Sequence, residues 1–293
     1  MSRGFVVLAN ASAGSADDEV IAAVADRLRT AGTVDVARTG SDGDVDAVLG
    51  GLDGRILVVA GGDGSIHTAV ARLRALDLAG SVDVGLVPLG TGNDLARGAG
   101  IPTEALDAAD LVASGREARA TDLVVDDAGG VVVNAVHAGL GAEAAERAAG
   151  MKDSLGPLAY PLGALIAGVR ASGWDLEVVA DGRTVHRGPA LMVGIGNGSS
   201  IGGGTELFPG AVLDDGLADI VVATAMGAAA RAAFGAALRS GDHLDRADTL
   251  ALRAAEVTVS GDAVRYNADG EVSDEIDGRR YTVAPRAWRL IRP

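Results

Sequence analysis

Two glycine-rich loops hold the residues best suited to chemistry: GGDGS at 61–65 and PLGTGND at 88–94. Each follows an apolar run, ILVVA at 56–60 and VDVGLVPL at 82–89. Successive backbone N–H groups in such a loop form an anion-binding nest where a helix begins. A phosphate held this way needs glycine for close backbone approach and no lysine. The same loops also work as tight strand-to-helix turns with nothing bound. Two of them at one sheet edge favour a nucleotide.

Other phosphate and nucleophile signatures fall away. A P-loop needs Gly-Lys-Ser/Thr, and Lys152, the chain's one lysine, is followed by Asp153. No GxGxxG follows the first apolar run. GSSIG at 198–202 matches a hydrolase nucleophile elbow, but two more glycines and Pro209 follow where a helix is required. Cysteine is absent, which removes disulfides, thiolate metal sites and thiol nucleophiles. His137, His186 and His243 have no metal-ligand spacing.

The elements that position the loops alternate. FVVLAN (5–10), TVDVAR (33–38), RILVVA (55–60) and VDVGLVPL (82–89) read as strands. Helices are expected at 17–32, 65–76, 93–99 and 103–114. This rhythm predicts an open parallel sheet with ligands beyond the carboxyl ends of its strands. After about residue 120 the pattern changes to hairpins, with turns at Asp127–Gly130 and at Asp181-Gly182. Further strands are expected at ALMVGIG, ADIVVATA, EVTVSG and RRYTVAP, with helices near 157–171 and 227–240. The expected class is thus α/β followed by β: a Rossmann-like parallel nucleotide-binding domain over 1–121, then a mostly antiparallel β-sandwich over 122–283. Residues 284–293 are expected to pack back on the first domain.

With 293 residues the chain suits two domains, or one large one. Its net charge of −15 speaks against nucleic acid and against a polybasic membrane anchor. The apolar core near the N-terminus is too short for a signal peptide, and no run reaches a membrane span. The expectation is a cytoplasmic protein.

Taken together, NASAG (10–14), GGDGS (61–65), PLGTGNDLAR (88–97), TDLVV (121–125), NGSSIGGG (197–204), FPGAVLDDGLADI (208–220) and NADGE (267–271) resemble the diacylglycerol kinase catalytic family, which includes sphingosine and bacterial lipid kinases. The resemblance runs nearly end to end. It implies an ATP- and Mg²⁺-dependent lipid kinase, with ATP and acceptor meeting between the domains. Asn10, Gly61, Gly62, Asp63, Gly64, Ser65, Gly90, Thr91, Gly92 and Asn93 would line the ATP site. Asp63 would help hold Mg²⁺ through water, Asp122 would join that network, and Asp269 would accept the acceptor hydroxyl's proton with Glu271 in support. Phosphoryl transfer rests on positioning and charge neutralisation, so this set suffices. A second, structural Mg²⁺ would sit in the DDGL loop on the Asp215 carboxylate and the carbonyls of Val212 and Leu217; LDDG also reads as a hairpin turn.

The resemblance further implies transient contact with a membrane surface bearing the lipid, its tail lined by aliphatic residues such as those of 155–169; a homodimer is compatible with it. The departures are Ala11 for the family's common proline, Ser65 for threonine, and His67-Thr68 for Asn and Glu. The last pair bears on the acceptor more than on ATP. Two alternatives stay open: a kinase of a soluble metabolite or NAD, and a nucleotide-binding regulator that has lost catalysis.

Overall fold

The computed structural model describes residues 3–11, 15–139 and 173–293. The helix expected near 157–171, the aliphatic run 155–169 and part of NASAG lie outside the described residues. The chain divides into two compact units, Met1–Leu123 with Pro285–Pro293, and Val124–Ala284.

The first unit alternates strand and helix: β1 (Arg3–Asn10), α1 (Ser15–Arg29), β2 (Gly32–Thr39), α2 (Asp42–Gly50), β3 (Ile56–Gly61), α3 (Asp63–Ala75), β4 (Asp83–Pro88), α4 (Asp94–Gly98) and α5 (Ala105–Ala113). β2, β1, β3 and β4 lie side by side in that order, all parallel. Phe5, Val7, Leu57, Val58 and Val59 are fully buried, as strands covered on both faces by helices must be. α3 begins at Asp63, two residues before the expected start, so the first glycine loop runs directly into the helix.

α2 has no counterpart in the sequence reading. Its DGDVDAVLG buries only Val45 and Leu49 and carries three aspartates, too little apolar signal to register. A capping box holds it: the Ser41 hydroxyl accepts the Asp44 N–H, and the Asp44 carboxylate accepts the N–H groups of Gly40 and Ser41.

β5 (Arg119–Asp126) leads into the second unit, where it meets β6 (Val131–Val132) across a turn. Asp126 closes that turn by accepting the N–H groups of Ala128 and Gly130. One antiparallel sheet follows the order β9 (Arg183–Ala190), β8 (Trp174–Ala180), β15 (Glu256–Val264) and β18 (Ile276–Leu290). The β8–β9 turn places Asp181 at φ 45° and Gly182 at φ 75°, the left-handed pair of a type I′ hairpin.

The other sheet contains β14 (Thr249–Ala254), β13 (Ala218–Ala223), β10 (Met192–Gly196), β7 (Ala135–Gly139), β16 (Tyr266–Ala268) and β17 (Glu271–Val272). A small ribbon, β11 (Ser200–Ile201) with β12 (Thr205–Glu206), and helix α6 (Ala228–Ser240) also belong to the unit. Trp174, Leu176 and Val178 alternate inward with Asp175 and Glu177 outward. These inward residues share one core with Val193, Ile195, Ile220 and Val222 from the other sheet. β18 ends in the first unit, where Leu290 pairs in parallel with Val84 of β4. Among the described residues no helix is long and apolar enough to cross a membrane.

Candidate active site

A cavity of about 400 Å³ opens in the first unit at the carboxyl ends of β1, β2 and β3. Its floor is Leu8, Ala9, Val59 and Ala60, and its walls include Asn10, Thr39, Ser41, Asp42, Gly62, Gly64, Ser65 and Thr68. Two helices start at its edge with different terminations. At α2 the Ser41 side chain accepts a first-turn N–H, that of Asp44, and the Asp44 carboxylate accepts the N–H groups of Gly40 and Ser41 just before the helix. α3 is capped by Gly62, which has no side chain to offer, so its positive end faces the cavity for an anion.

The motif glycines separate by what they touch. A Cβ on Gly90 would lie 2.6 Å from the Cα of Gly62, and one on Gly62 would lie 3.1 Å from the Cα of Gly90. The two loops therefore pack backbone to backbone, and glycine is needed there whatever binds. A Cβ on Gly61 would sit 2.3 Å from Ser65 Oγ, because the serine folds back over the strand end. Gly64 differs: among the described residues nothing lies within 4 Å of its Cβ position, and it lines the cavity.

Asn93 holds the second loop in a left-handed conformation, φ 52°, by accepting the Gly90 N–H at 3.0 Å and donating to the Gly90 carbonyl at 2.8 Å. Asp63 ties the two loops by accepting the Leu95 N–H at 3.2 Å. Of the expected nucleotide residues, Asn10, Gly62, Gly64 and Ser65 line the cavity, while Gly90, Thr91, Gly92 and Asn93 form the adjoining loop that Gly62 touches. The sequence reading missed Thr39–Asp42. Their signal is positional, since the end of β2 reaches the same sheet edge.

Asp122 is fully buried. Its Oδ1 accepts the Arg286 N–H at 2.7 Å, and its carbonyl accepts the Trp288 Nε1–H at 3.1 Å. It anchors the returning chain where Arg286 takes φ 53°.

Asp269 and Glu271 belong to the second unit. Asp269 and Gly270, at φ 50° and 98°, turn β16 into β17. The Asp269 carboxylate accepts three backbone N–H groups, from Val133 at 2.6 Å, Asn134 at 2.9 Å and Ala135 at 3.0 Å. Asn197 clamps the same segment, its side chain donating to the Val133 carbonyl at 2.8 Å and its N–H to the Asn134 carbonyl at 2.8 Å. The Asn134 side chain in turn donates to the Ser200 carbonyl at 2.8 Å. Ser200 thus sits buried in a β-ribbon rather than before a helix, which removes the hydrolase elbow. Asn134 and Asn197 were missed as functional candidates; a buried-looking run interrupted by asparagine is the signal that finds Asn134.

Residues 4–125 match the pattern of the diacylglycerol kinase catalytic domain, and residues 134–292 match that of the YegS C-terminal NAD kinase beta sandwich-like domain. A relative in Xanthomonas oryzae pv. oryzae named "Probable lipid kinase YegS-like" is 34% identical over 261 residues, covering 81% of this chain and 80% of its own. The chain belongs to the YegS-like lipid kinases of the diacylglycerol kinase catalytic family. A relative of the same name in Pseudomonas fluorescens is 37% identical over 212 residues, 70% of this chain and 68% of its own. A solved diacylglycerol kinase structure from Bacillus anthracis str. Sterne shares the fold, with a TM-score of 0.78 at 21% identity over 100% of this chain and 97% of that one. Yeast NADH kinase shares it more distantly, with a TM-score of 0.55 at 12% identity over 99% of this chain and 83% of that one.

Within this lipid kinase the Thr68 departure stands in the wall of the first-unit cavity, one turn after Gly64. In the DDGL loop, the Asp215 carboxylate expected to hold a second cation has two partners within the chain. Asp215 Oδ1 accepts the Leu217 N–H at 3.1 Å, and Oδ2 is paired with the Arg253 guanidinium. Among the described residues no three His, Cys, Asp or Glu side chains group to hold a metal. Single carboxylates such as Asp63 fit an ion that arrives with phosphate and keeps its waters.

Proposed function

We propose that this kinase transfers the γ-phosphoryl group of ATP to a hydroxyl of diacylglycerol or a closely related lipid at a membrane surface. The observation that carries the nucleotide half is the first-unit cavity, where Asn10, Gly62, Gly64 and Ser65 meet the uncapped start of α3. The triphosphate lies against that helix start, and the nucleoside occupies the space toward Thr39 and Ser41. Mg²⁺, held by Asp63, would neutralise charge on the β- and γ-phosphates when bound. The acceptor hydroxyl gives its proton to Asp269 as its oxygen bonds to phosphorus, and ADP leaves with the broken phosphate bond. The N–H groups of Val133, Asn134 and Ala135 fix the carboxylate that takes the proton, with Glu271 in support. Asp122 acts as a positioning residue through the segment it anchors.

The test is γ-labelled ATP with Mg²⁺, offered extracted lipids in mixed micelles or a soluble metabolite extract. Label in the organic phase is expected. Label confined to soluble products, or absent from both, would overturn the reading.

A further inference from the structure

Among the described residues that line the first-unit cavity, Asp42 alone carries a charge. It stands just past the end of β2, in the first turn of α2, a helix start that Ser41 and Asp44 already cap. The Asp42 carboxylate is therefore not needed to close that helix. One turn along α2, Asp46 holds Arg72 of α3 through Nε at 2.7 Å and through Nη2. Asp42 lies on the same side of α2 as Asp46, and its charge reaches Arg72 through space. Among the described residues neither a hydrogen bond nor an ion pair engages the Asp42 carboxylate.

We propose that Asp42 accepts the ribose hydroxyls of the bound nucleotide, so that this kinase selects ribonucleoside over deoxyribonucleoside triphosphates. The proposal rests on the reading of the cavity as the ATP site. An ionised carboxylate only accepts hydrogen bonds, and it repels phosphate, so the part of the nucleotide beside it is one that donates. The two ribose hydroxyls are adjacent donors that match its two oxygens. An acidic side chain serves the ribose 2′-hydroxyl in the same way in other parallel nucleotide-binding sheets. The cavity is then polarised: the positive start of α3 takes the phosphates, while the carboxylate on α2 rejects the reversed orientation and a phosphorylated ribose.

The test is isothermal titration of the full chain, in Mg²⁺, with ATP, 2′-deoxy-ATP, 3′-deoxy-ATP and tripolyphosphate. Wild type should bind at least one deoxy nucleotide about tenfold to a hundredfold more weakly than ATP. Asp42→Ala should lose ATP affinity by about that factor and bind ATP and the same deoxy nucleotide alike. Tripolyphosphate has no ribose and should bind D42A at least as well as wild type, because a repelling charge is gone. Should D42A not fold, Asp42→Asn carries the test, since it keeps an acceptor oxygen without the charge and should discriminate less than wild type. Equal wild-type affinity for ATP and both deoxy nucleotides would overturn the proposal. So would a folded D42A, or failing that D42N, that discriminates as strongly as wild type. In both cases ATP still binds and the nucleotide reading stands, whereas a wild type that does not bind ATP would overturn the two together.

Discussion

Gly64 and Gly90 belong to glycine motifs of similar appearance, and the structure gives them opposite work. Alanine at 90 puts a methyl 2.6 Å from the Cα of Gly62 and 2.9 Å from Asn93 Oδ1. Carbon atoms at rest stay about 3.5–4.0 Å apart, so the loops must separate by about 1 Å and strain the Asn93 bonds. Overpacking of this kind costs about 1–3 kcal/mol. Alanine at 64 meets nothing within 4 Å among the described residues and stands in the first turn of α3. Exchanging a helical glycine for alanine stabilises by up to about 1 kcal/mol, but this methyl enters the cavity where phosphate is proposed to lie.

Denaturant unfolding and ATP titration of both variants separate the effects. Gly90→Ala should lose stability and ATP affinity together. Gly64→Ala should be as stable as wild type or more so, while ATP binding weakens at least about tenfold, or 1.4 kcal/mol. Unchanged ATP affinity in Gly64→Ala would mean that the loop is only a turn. Unchanged stability in Gly90→Ala would mean that the loops do not pack as described.

His137 supplies a pH signature, because burial lowers its pKa to about 4 and its Nδ1 has no partner among the described residues. The native state then binds fewer protons than the unfolded one between about pH 4 and 6.5. The stability from neutral His137 is present above 6.5 and lost as pH falls through 4, about 3 kcal/mol in all. His137→Leu should lower the slope of urea-derived stability against pH across that window by about one proton relative to wild type, and an unchanged slope would contradict the assignment. Asp219 works in the opposite sense, since its raised pKa favours the folded state at low pH and that gain is lost as pH rises through about 6. Asp219→Asn should therefore steepen the acid loss. Asp269→Ala leaves three N–H groups unmet and should cost about 3 kcal/mol or more, whereas Asp269→Asn should cost less while lowering kcat at least about a hundredfold with ATP binding retained. Normal turnover in the asparagine variant would reject the proton-accepting role. Asp122→Asn keeps an acceptor for the Arg286 N–H and should stay close to wild-type stability; Asp122→Ala should lose about 1–3 kcal/mol in the same unfolding assay.

Features set by short stretches of chain were legible before any coordinates. Contiguous apolar runs such as Ile56–Gly61 announce strands buried on both faces, and Asp181-Gly182 announces a hairpin because few other pairs take two positive φ angles cheaply. α2 was not legible, since two buried residues among three aspartates carry little periodicity and the cap at Ser41 does much of the holding. The Asp-Gly of NADGE could be read as a turn from its own two residues. That its carboxylate would be cradled by N–H groups 134 to 136 positions away could not. Asp122 reaches Arg286 across 164 positions, and Gly62 meets Gly90 only because β3 and β4 are neighbours in the sheet. Backbone preference is decided within a few residues, so sequence alone determined the turns, the strands and the class of fold. A carboxylate's partner or a glycine's neighbour depends on which distant segment folding delivers, and that was settled only by the tertiary structure.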